Sequence, residues 1–293
     1  VFRVFPSAGS RRNPDFQVER KPNQGKRYTG IDRRKALIRA CIDETQKEPD
    51  GDALVHVYER CPMNTIISFS GGRTSGMMLK TMIDYYGGCL PENIKVCFAN
   101  TGKEHPATLE FVQECSEQFG CEIVWLEWQR AERPSDRWKV VDFQTAARKG
   151  EPFSGLIDLR GYLPNPVTRF CTQELKIRPM KYYAQQMLGW KEWQVAIGFR
   201  ADEPRRIAKL KIQNECFDRF APLAEMGITK SDVGKFWKNQ KFDLKLPNQN
   251  GETAHGNCDL CFLKGIHKRA ALIAEKPQTA DWWIAQENKI GST

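Results

Sequence analysis

The sequence predicts an α/β protein: a Rossmann-like parallel sheet with helices on both faces, flanked by a basic N-terminal extension and a cysteine-containing C-terminal subdomain. Three observations carry this expectation. Apolar runs of strand length alternate with helical periodicity from Thr65 onward, as a parallel sheet with crossover helices requires. The first run passes through a glycine pair into a helix start, in the stretch TIISFSGGRTSGMM from Thr65 to Met78. Polar and anion-binding residues follow the first, second and fourth runs, at the carboxyl ends where open parallel sheets place their ligands.

Taken in order, Ile66–Phe69 is the first expected strand. Gly76–Tyr86 is the helix behind it, with Met77, Met78, Leu79, Met82 and Ile83 partly inward. Lys95–Ala99 (KVCFA) is the second strand, followed by a turn of Asn100, Thr101, Gly102, Lys103 and Glu104. His105–Phe119 is a helix with Pro106 in its first turn, where a missing N–H costs nothing. Glu122–Leu126 (EIVWL) is the third strand. A long irregular stretch runs to about Arg169, then Ile177–Leu188 is a helix and Gln194–Gly198 (QVAIG) a fourth core strand. Upstream, Leu37, Ile38, Cys41 and Ile42 stand at helical spacing within Asp32–Lys47 and predict one helix docked on the body. Met63 looks like the natural start of a catalytic domain, so residues 1–62 read as an extension, residues 63–210 as the loop-bearing domain and residues 211–293 as the C-terminal subdomain.

Elimination narrows what the glycine pair holds. Gly71 and Gly76 have the spacing of a Walker A loop, but Met77 and Met78 occupy the places where that motif needs Lys and Ser/Thr. No third glycine completes a dinucleotide fingerprint. What remains is S-G-G-x-x-S: Ser70, Gly71, Gly72, Arg73, Thr74 and Ser75. Two glycines permit positive φ and close backbone approach, the hydroxyls add donors, and Ser75 is placed to cap the helix. Loop N–H groups and the positive end of the helix dipole then converge on an anion, usually phosphate. A plain glycine turn between a core strand and a core helix is the alternative.

The loop resembles the PP-loop of the ATP pyrophosphatase (adenine nucleotide α-hydrolase) superfamily, which grips the β,γ-pyrophosphate so that the α-phosphate is attacked. Three more segments narrow the resemblance to the phosphoadenosine-phosphosulfate (PAPS) reductase branch: FANTGKEHPATLEFV (Phe98–Val112), RFCTQELKIRP (Arg169–Pro179) and GFRADEPRRI (Gly198–Ile207). Together they cover about Thr65 to Leu263. Arg73 and Thr74 replace the Lys-Asp that many members carry. The resemblance implies ATP with Mg²⁺ held by Ser70 to Ser75 together with Asn100, Thr101, Gly102, Glu104 and Arg206. It implies Arg200 and Arg206 on phosphates, Asp202 and Glu203 assisting a metal or orienting an arginine, and Lys176 neutralising transition-state charge. A surface ion pair is the alternative for each.

Ten cysteines without a secretion signal read as reduced thiols, some of them metal ligands. Cys258 and Cys261 form a CxxC within GNCDLCFLKG, where glycine-flanked geometry lets two thiolates reach one metal centre. Cys171, in the basic segment, is the natural third ligand and Cys216 the best candidate for a fourth. A 4Fe–4S cluster is preferred, because related sulfonucleotide reductases and DNA- or tRNA-thiolating members place such clusters beside the nucleotide. Zinc, with His255 in place of Cys216, and plain structural thiols are the alternatives. Cys89, Cys97, Cys115 and Cys121 lie in apolar settings and read as packing residues. Thioredoxin-dependent PAPS reductases carry a nucleophilic cysteine near the C-terminus in a Glu-Cys-Gly-Leu-His context. The last cysteine here is Cys261, which disfavours simple PAPS reduction and leaves sulfur insertion, with an open iron to hold sulfide if only three cysteines bind.

Of the formal net charge of +9, most resides in residues 1–40, which hold eleven Lys/Arg against three acids. Such an arm suits contact with nucleic-acid phosphates, a solvated tail being the alternative. No apolar run of eighteen and no signal-peptide core are present, so a cytoplasmic location without a membrane partner is expected. The expected function is an ATP-dependent sulfur-transfer enzyme acting on a nucleic acid, with a sulfur-donor protein and a homodimer as further expected partners. A sulfonucleotide reductase and a nucleotide- or cluster-sensing nucleic-acid-binding protein are the alternatives.

Overall fold

Thr65–Phe69 (β1) is a β-branched, apolar pentapeptide buried along nearly its whole length, as a central strand covered on both faces must be. Around it a computed structural model builds a six-stranded sheet; it describes residues 63–210, 215–247 and 253–291. The expected extension of residues 1–62, with its helix and basic arm, lies outside the described residues. The other strands are β2 (Ile94–Asn100), β3 (Ile123–Glu127), β4 (Lys139–Val141), β5 (Gln194–Ile197) and β6 (Asp218–Phe220), in the spatial order β4-β3-β2-β1-β5-β6. All pairs are parallel except β3 with β4. The register sets Ile67 beside Val96, and Ile66 beside Val195, so the carboxyl ends of β1, β2 and β5 open on one edge.

Alternation along the strands splits the core. Ile67, Phe69, Val96, Phe98, Ile123 and Trp125 face one side, where α1 (Arg73–Tyr85), α2 (Pro106–Phe119) and α7 (Lys230–Lys238) cover them. Ile66, Cys97, Ala99, Val124 and Leu126 face the other, against Met180, Tyr183 and Ala184 of α4. That helix runs as four consecutive segments, Phe170–Thr172, Gln173–Ile177, Arg178–Tyr182 and Tyr183–Met187, the second and fourth with π turns. Pro179 explains the first widening: it cannot donate to a carbonyl one turn back, and its ring crowds that carbonyl. The expected α/β sheet with helices on both faces is therefore present.

Three details differ from the sequence reading. The stretch expected to be irregular contains β4 and α3 (Glu151–Arg160). β4 is only three residues long and adds antiparallel to the open edge of β3, too short to leave a periodic signal. In α3, Gly155 masks the helix; a Cβ there would lie 2.8 Å from Trp128. Third, β6, within the expected C-terminal subdomain, is the edge strand of the same sheet. The remaining helices are α5 (Pro204–Leu210), α6 (Pro222–Glu225), α8 (Ile266–Glu275) and α9 (Thr279–Ile290). α9 closes a third apolar cluster over Trp128, Phe153, Leu156 and Leu175. No described helix is long and apolar enough to cross a membrane.

Candidate functional site

β1 is the switch point of the sheet: the chain proceeds to β2 and β3 on one side, and β5 pairs on the other. A crevice opens at such a point. Residues 70–75 fill the turn at its carboxyl end and line a cavity of about 660 Å³. Gly71 sits at φ +72, and a Cβ there would come within 2.6 Å of the Thr108 methyl carbon. Gly72, in contrast, is extended at φ −109 and is the N-cap of α1, so only one of the two glycines uses positive φ. Ser75 is the hub of the turn. Its buried hydroxyl accepts from Gly72 N (3.2 Å) and Ser70 N (3.2 Å), donates to Gly72 O (2.8 Å), and lies 3.0 Å from the Ser70 hydroxyl. Ser75 thus caps from the third helical position rather than as the N-cap. Behind the turn, Gly198 leaves no room for a side chain, since its Cβ would meet Ser75 Cα at 3.1 Å.

The arginines of this cleft are tied to carboxylates. Arg73 makes a two-pronged pair with Asp243, at 2.6 and 2.5 Å, and its carbonyl accepts from Trp237 Nε1 at 2.8 Å. Asp243 and Trp237 carry no motif and escaped the sequence reading. Arg200 donates to Asp202 (2.8 Å) and approaches Glu203 (3.6 Å), while Arg206 pairs with Glu203 at 2.6 Å and lies over the Phe199 ring. Asp202 also accepts from Lys230 N. Slight desolvation opposes its charge, but the bonds from Arg200 and Lys230 win and hold its carboxyl below the ordinary aspartate value. Arg200 and Arg206 line the cleft beside Thr74, and Asp202 and Glu203 orient them.

Asn100, Thr101, Gly102 and Glu104 do not line that cleft; they turn toward the cysteines. The Asn100 amide donates to Glu127 (2.7 Å) and Ala147 O (2.8 Å), and its oxygen accepts from Gly102 N at 3.1 Å. Glu104 is buried, accepting from Thr101 N at 2.9 Å and from the Thr101 hydroxyl. That hydroxyl also meets Cys258 Sγ at 3.3 Å. Lys103 fastens the turn to the CxxC segment through Asp259 (2.8 Å), with its ammonium over the Trp282 ring.

Cys171, Cys258 and Cys261 share one apolar cluster with Phe153, Leu156, Leu175 and the two tryptophans of α9. Burial, then the Glu104 carboxylate, pushes the Cys258 thiol up to about 12. Burial and the neighbouring Cys261 raise Cys171. Lys176 Nζ stands 3.7 Å from Glu104. Its desolvation works against the charge, but Cys258, Glu104 and the other two cysteines outweigh it and hold the ammonium above the ordinary lysine value. Cys216 is not in this group: it is exposed, lies outside the apolar cluster and accepts from Gln185 at 3.9 Å, although its neighbour Glu215 accepts from Gln173, two residues beyond Cys171. His255 also turns away, bonding Glu275 at 3.1 Å and meeting the His105 ring at 5.4 Å. His105 caps α2 through Nδ1, and burial with the adjacent His255 lowers its pKa.

Among the described residues no three His, Cys, Asp or Glu side chains are gathered to hold a single metal ion. His255, the ligand of the zinc alternative, is bonded to Glu275 in this arrangement. Soft thiols from two segments, an apolar wall and one lysine are a donor set of the kind that iron–sulfur clusters take.

A family model for the phosphoadenosine phosphosulfate reductase domain matches residues 64–244. The chain belongs to this family. A relative in Escherichia phage lambda, the uncharacterized nin region protein ORF290, is 32% identical over 213 residues, covering 70% of this chain and 68% of its own. Among solved structures, the PAPS reductase of Candida auris in a phosphate complex is 14% identical over 69% of this chain and 84% of its own, with a TM-score of 0.39. The U34-tRNA thiolase NcsA of Methanococcus maripaludis, solved with its 4Fe–4S cluster, is 16% identical over 90% and 80%, also with a TM-score of 0.39. Likenesses this distant say nothing about the chemistry of a PAPS reductase-family member.

Proposed function

We propose that this chain cleaves ATP between the α and β phosphates to activate a nucleic-acid substrate for sulfur transfer, with a 4Fe–4S cluster on Cys171, Cys258 and Cys261. One observation carries the reading: the CxxC segment is a wall shared by both halves of the site. Thr253, Ala254, Gly256 and Asn257, then Leu263 to Gly265, line the PP-loop cleft, while Cys258 and Cys261, between them in sequence, join Cys171 in an apolar cluster. The loop N–H groups and the Thr74 hydroxyl bind the β,γ-phosphates, and Arg200 and Arg206 hold the polyanion at the rim. A substrate oxygen attacks the α-phosphate and pyrophosphate leaves; sulfur then displaces AMP. Lys176 stabilises negative charge at the cysteine side. The cluster, when bound, supplies a place for sulfur next to the activated atom. The basic arm of residues 1–40 supplies the grip on nucleic acid.

Pyrophosphate release from MgATP is the test. Release stimulated by DNA or RNA supports the reading; no release under any condition sinks it. The family's description favours a second reading, a sulfonucleotide reductase using the same cleft. Sulfite formation from adenosine phosphosulfate or PAPS, with no pyrophosphate release from ATP, would select it.

A further inference from the structure

Every arginine expected to meet phosphate already has a carboxylate: Arg73 has Asp243, Arg200 has Asp202, and Arg206 has Glu203. The Walker lysine is absent, its place held by Met77. In the ligand-free cleft each motif arginine is therefore shared with a carboxylate, and a polyanion must compete for it. Lys264 is in a different position. It lines the same cleft; its Nζ is buried with no hydrogen-bond partner among the described residues, and burial holds its pKa below the ordinary lysine value although Cys261, Cys258 and Asp259 act to raise it. A buried ammonium without a partner is costly, and native proteins keep one where a ligand completes it. The backbone holds it there: Lys264 N donates to Cys261 O at 2.8 Å, which fixes the exit of the CxxC turn. The next residue, Gly265, is the N-cap of the ten-residue helix α8 and offers no side-chain cap, so the first N–H groups of α8 start at the same wall.

We infer that Lys264 is the phosphate-binding lysine of this cleft, its ammonium meeting the phosphates of a nucleotide seated on residues 70–75. The inference rests on the cleft being the nucleotide site proposed above. It adds that the cation comes from the cysteine-bearing segment, not from the loop or from α1. Phosphate binding and the placement of Cys261, three residues away, are thereby linked through one short stretch of backbone.

Lys264→Met tests it, because methionine keeps the apolar stem and removes only the charge. Binding of MgATP, pyrophosphate and adenosine is measured by calorimetry on wild type and variant, with urea midpoints of both in the absence of ligand. The expected result is MgATP and pyrophosphate binding weakened about 10- to 100-fold, the range of a lost charge-assisted hydrogen bond, with adenosine affinity unchanged. The ligand-free variant should unfold at a higher urea concentration than wild type, since an unpaired buried charge is gone. Lys264→Arg should retain pyrophosphate binding within a few fold. Undiminished pyrophosphate binding by Lys264→Met overturns the inference and leaves the nucleotide reading standing. Equal loss of adenosine affinity, or a lowered urea midpoint, also overturns it by showing a structural role. If wild type binds neither MgATP nor pyrophosphate, the nucleotide reading itself falls and the inference with it.

Discussion

Around the PP-loop the motif arginines are paired with carboxylates and partly open to water, whereas Glu104 and Cys258 are buried together. Arg73 and Asp243 keep 25% and 35% of their side-chain surface exposed. Glu104 keeps 3% and acts on Cys258, whose thiol shares an apolar cluster with Cys171, Cys261 and an aromatic wall. The first arrangement can admit a hydrated polyanion and trade partners at little cost, because exposed ion pairs contribute only about 0–1 kcal/mol. The second keeps a carboxylate and a thiol away from water. One loop, residues 253–265, separates the two environments, so each half can be altered while the other reports the effect.

The largest expected effect is on the dry side. Cys171→Ala, Cys258→Ala and Cys261→Ala should each abolish the brown colour and about four irons per chain in anaerobically purified protein. Cys216→Ala should retain both, because Cys216 lies along α4 near Gln185. A colourless Cys216 variant would mean the chain rearranges to bring a fourth ligand in. Iron analysis with visible absorbance decides the matter.

The next contrast is within the wet side. Gly71→Ala forces an L-residue to φ +72 with a Cβ 2.6 Å from Thr108, and should cost about 1–3 kcal/mol in urea unfolding as well as MgATP binding. Gly72→Ala is extended, with its nearest neighbour atom 3.7 Å away, and should leave the unfolding midpoint within error. Equal losses at the two positions would contradict the loop geometry.

A double-mutant cycle on Arg73→Ala and Asp243→Ala should give a coupling energy of about 1 kcal/mol, the upper range for a two-pronged pair that is partly exposed. Zero coupling would free Arg73 to act on phosphate.

A further expected effect concerns pH. Burial raises the thiols of Cys97 and Cys115, and lifts Cys121 to about 11. The folded state then retains protons that the unfolded chain releases above about pH 9. Stability should accordingly fall as pH rises through that window. Cys121→Ala should flatten the decline between pH 9 and 11 in urea melts, and an unchanged slope would show that this thiol is not buried in solution.

The sequence alone determined the alternation of strands and helices, the turn at Ser70 to Ser75 and the pairing of Cys258 with Cys261 in one short loop. These are local matters: β-branched runs, glycine adjacency and cysteine spacing act within a few residues, so they survive in a linear reading. Helix α3 and the early start of α4 were hidden because Gly155 and Pro179 mimic breakers, although Trp128 packing and π turns accommodate them. Only the tertiary structure decided which glycine takes positive φ, that Arg73 faces Asp243 across 170 residues, and that Asn100 to Glu104 turn toward the cysteines. It alone placed Cys216 outside the apolar cluster of Cys171 and showed Lys264 Nζ buried without a hydrogen-bond partner among the described residues. Each of those depends on which surfaces meet when the sheet's carboxyl edge is closed by distant segments, and long-range contact leaves no trace in spacing.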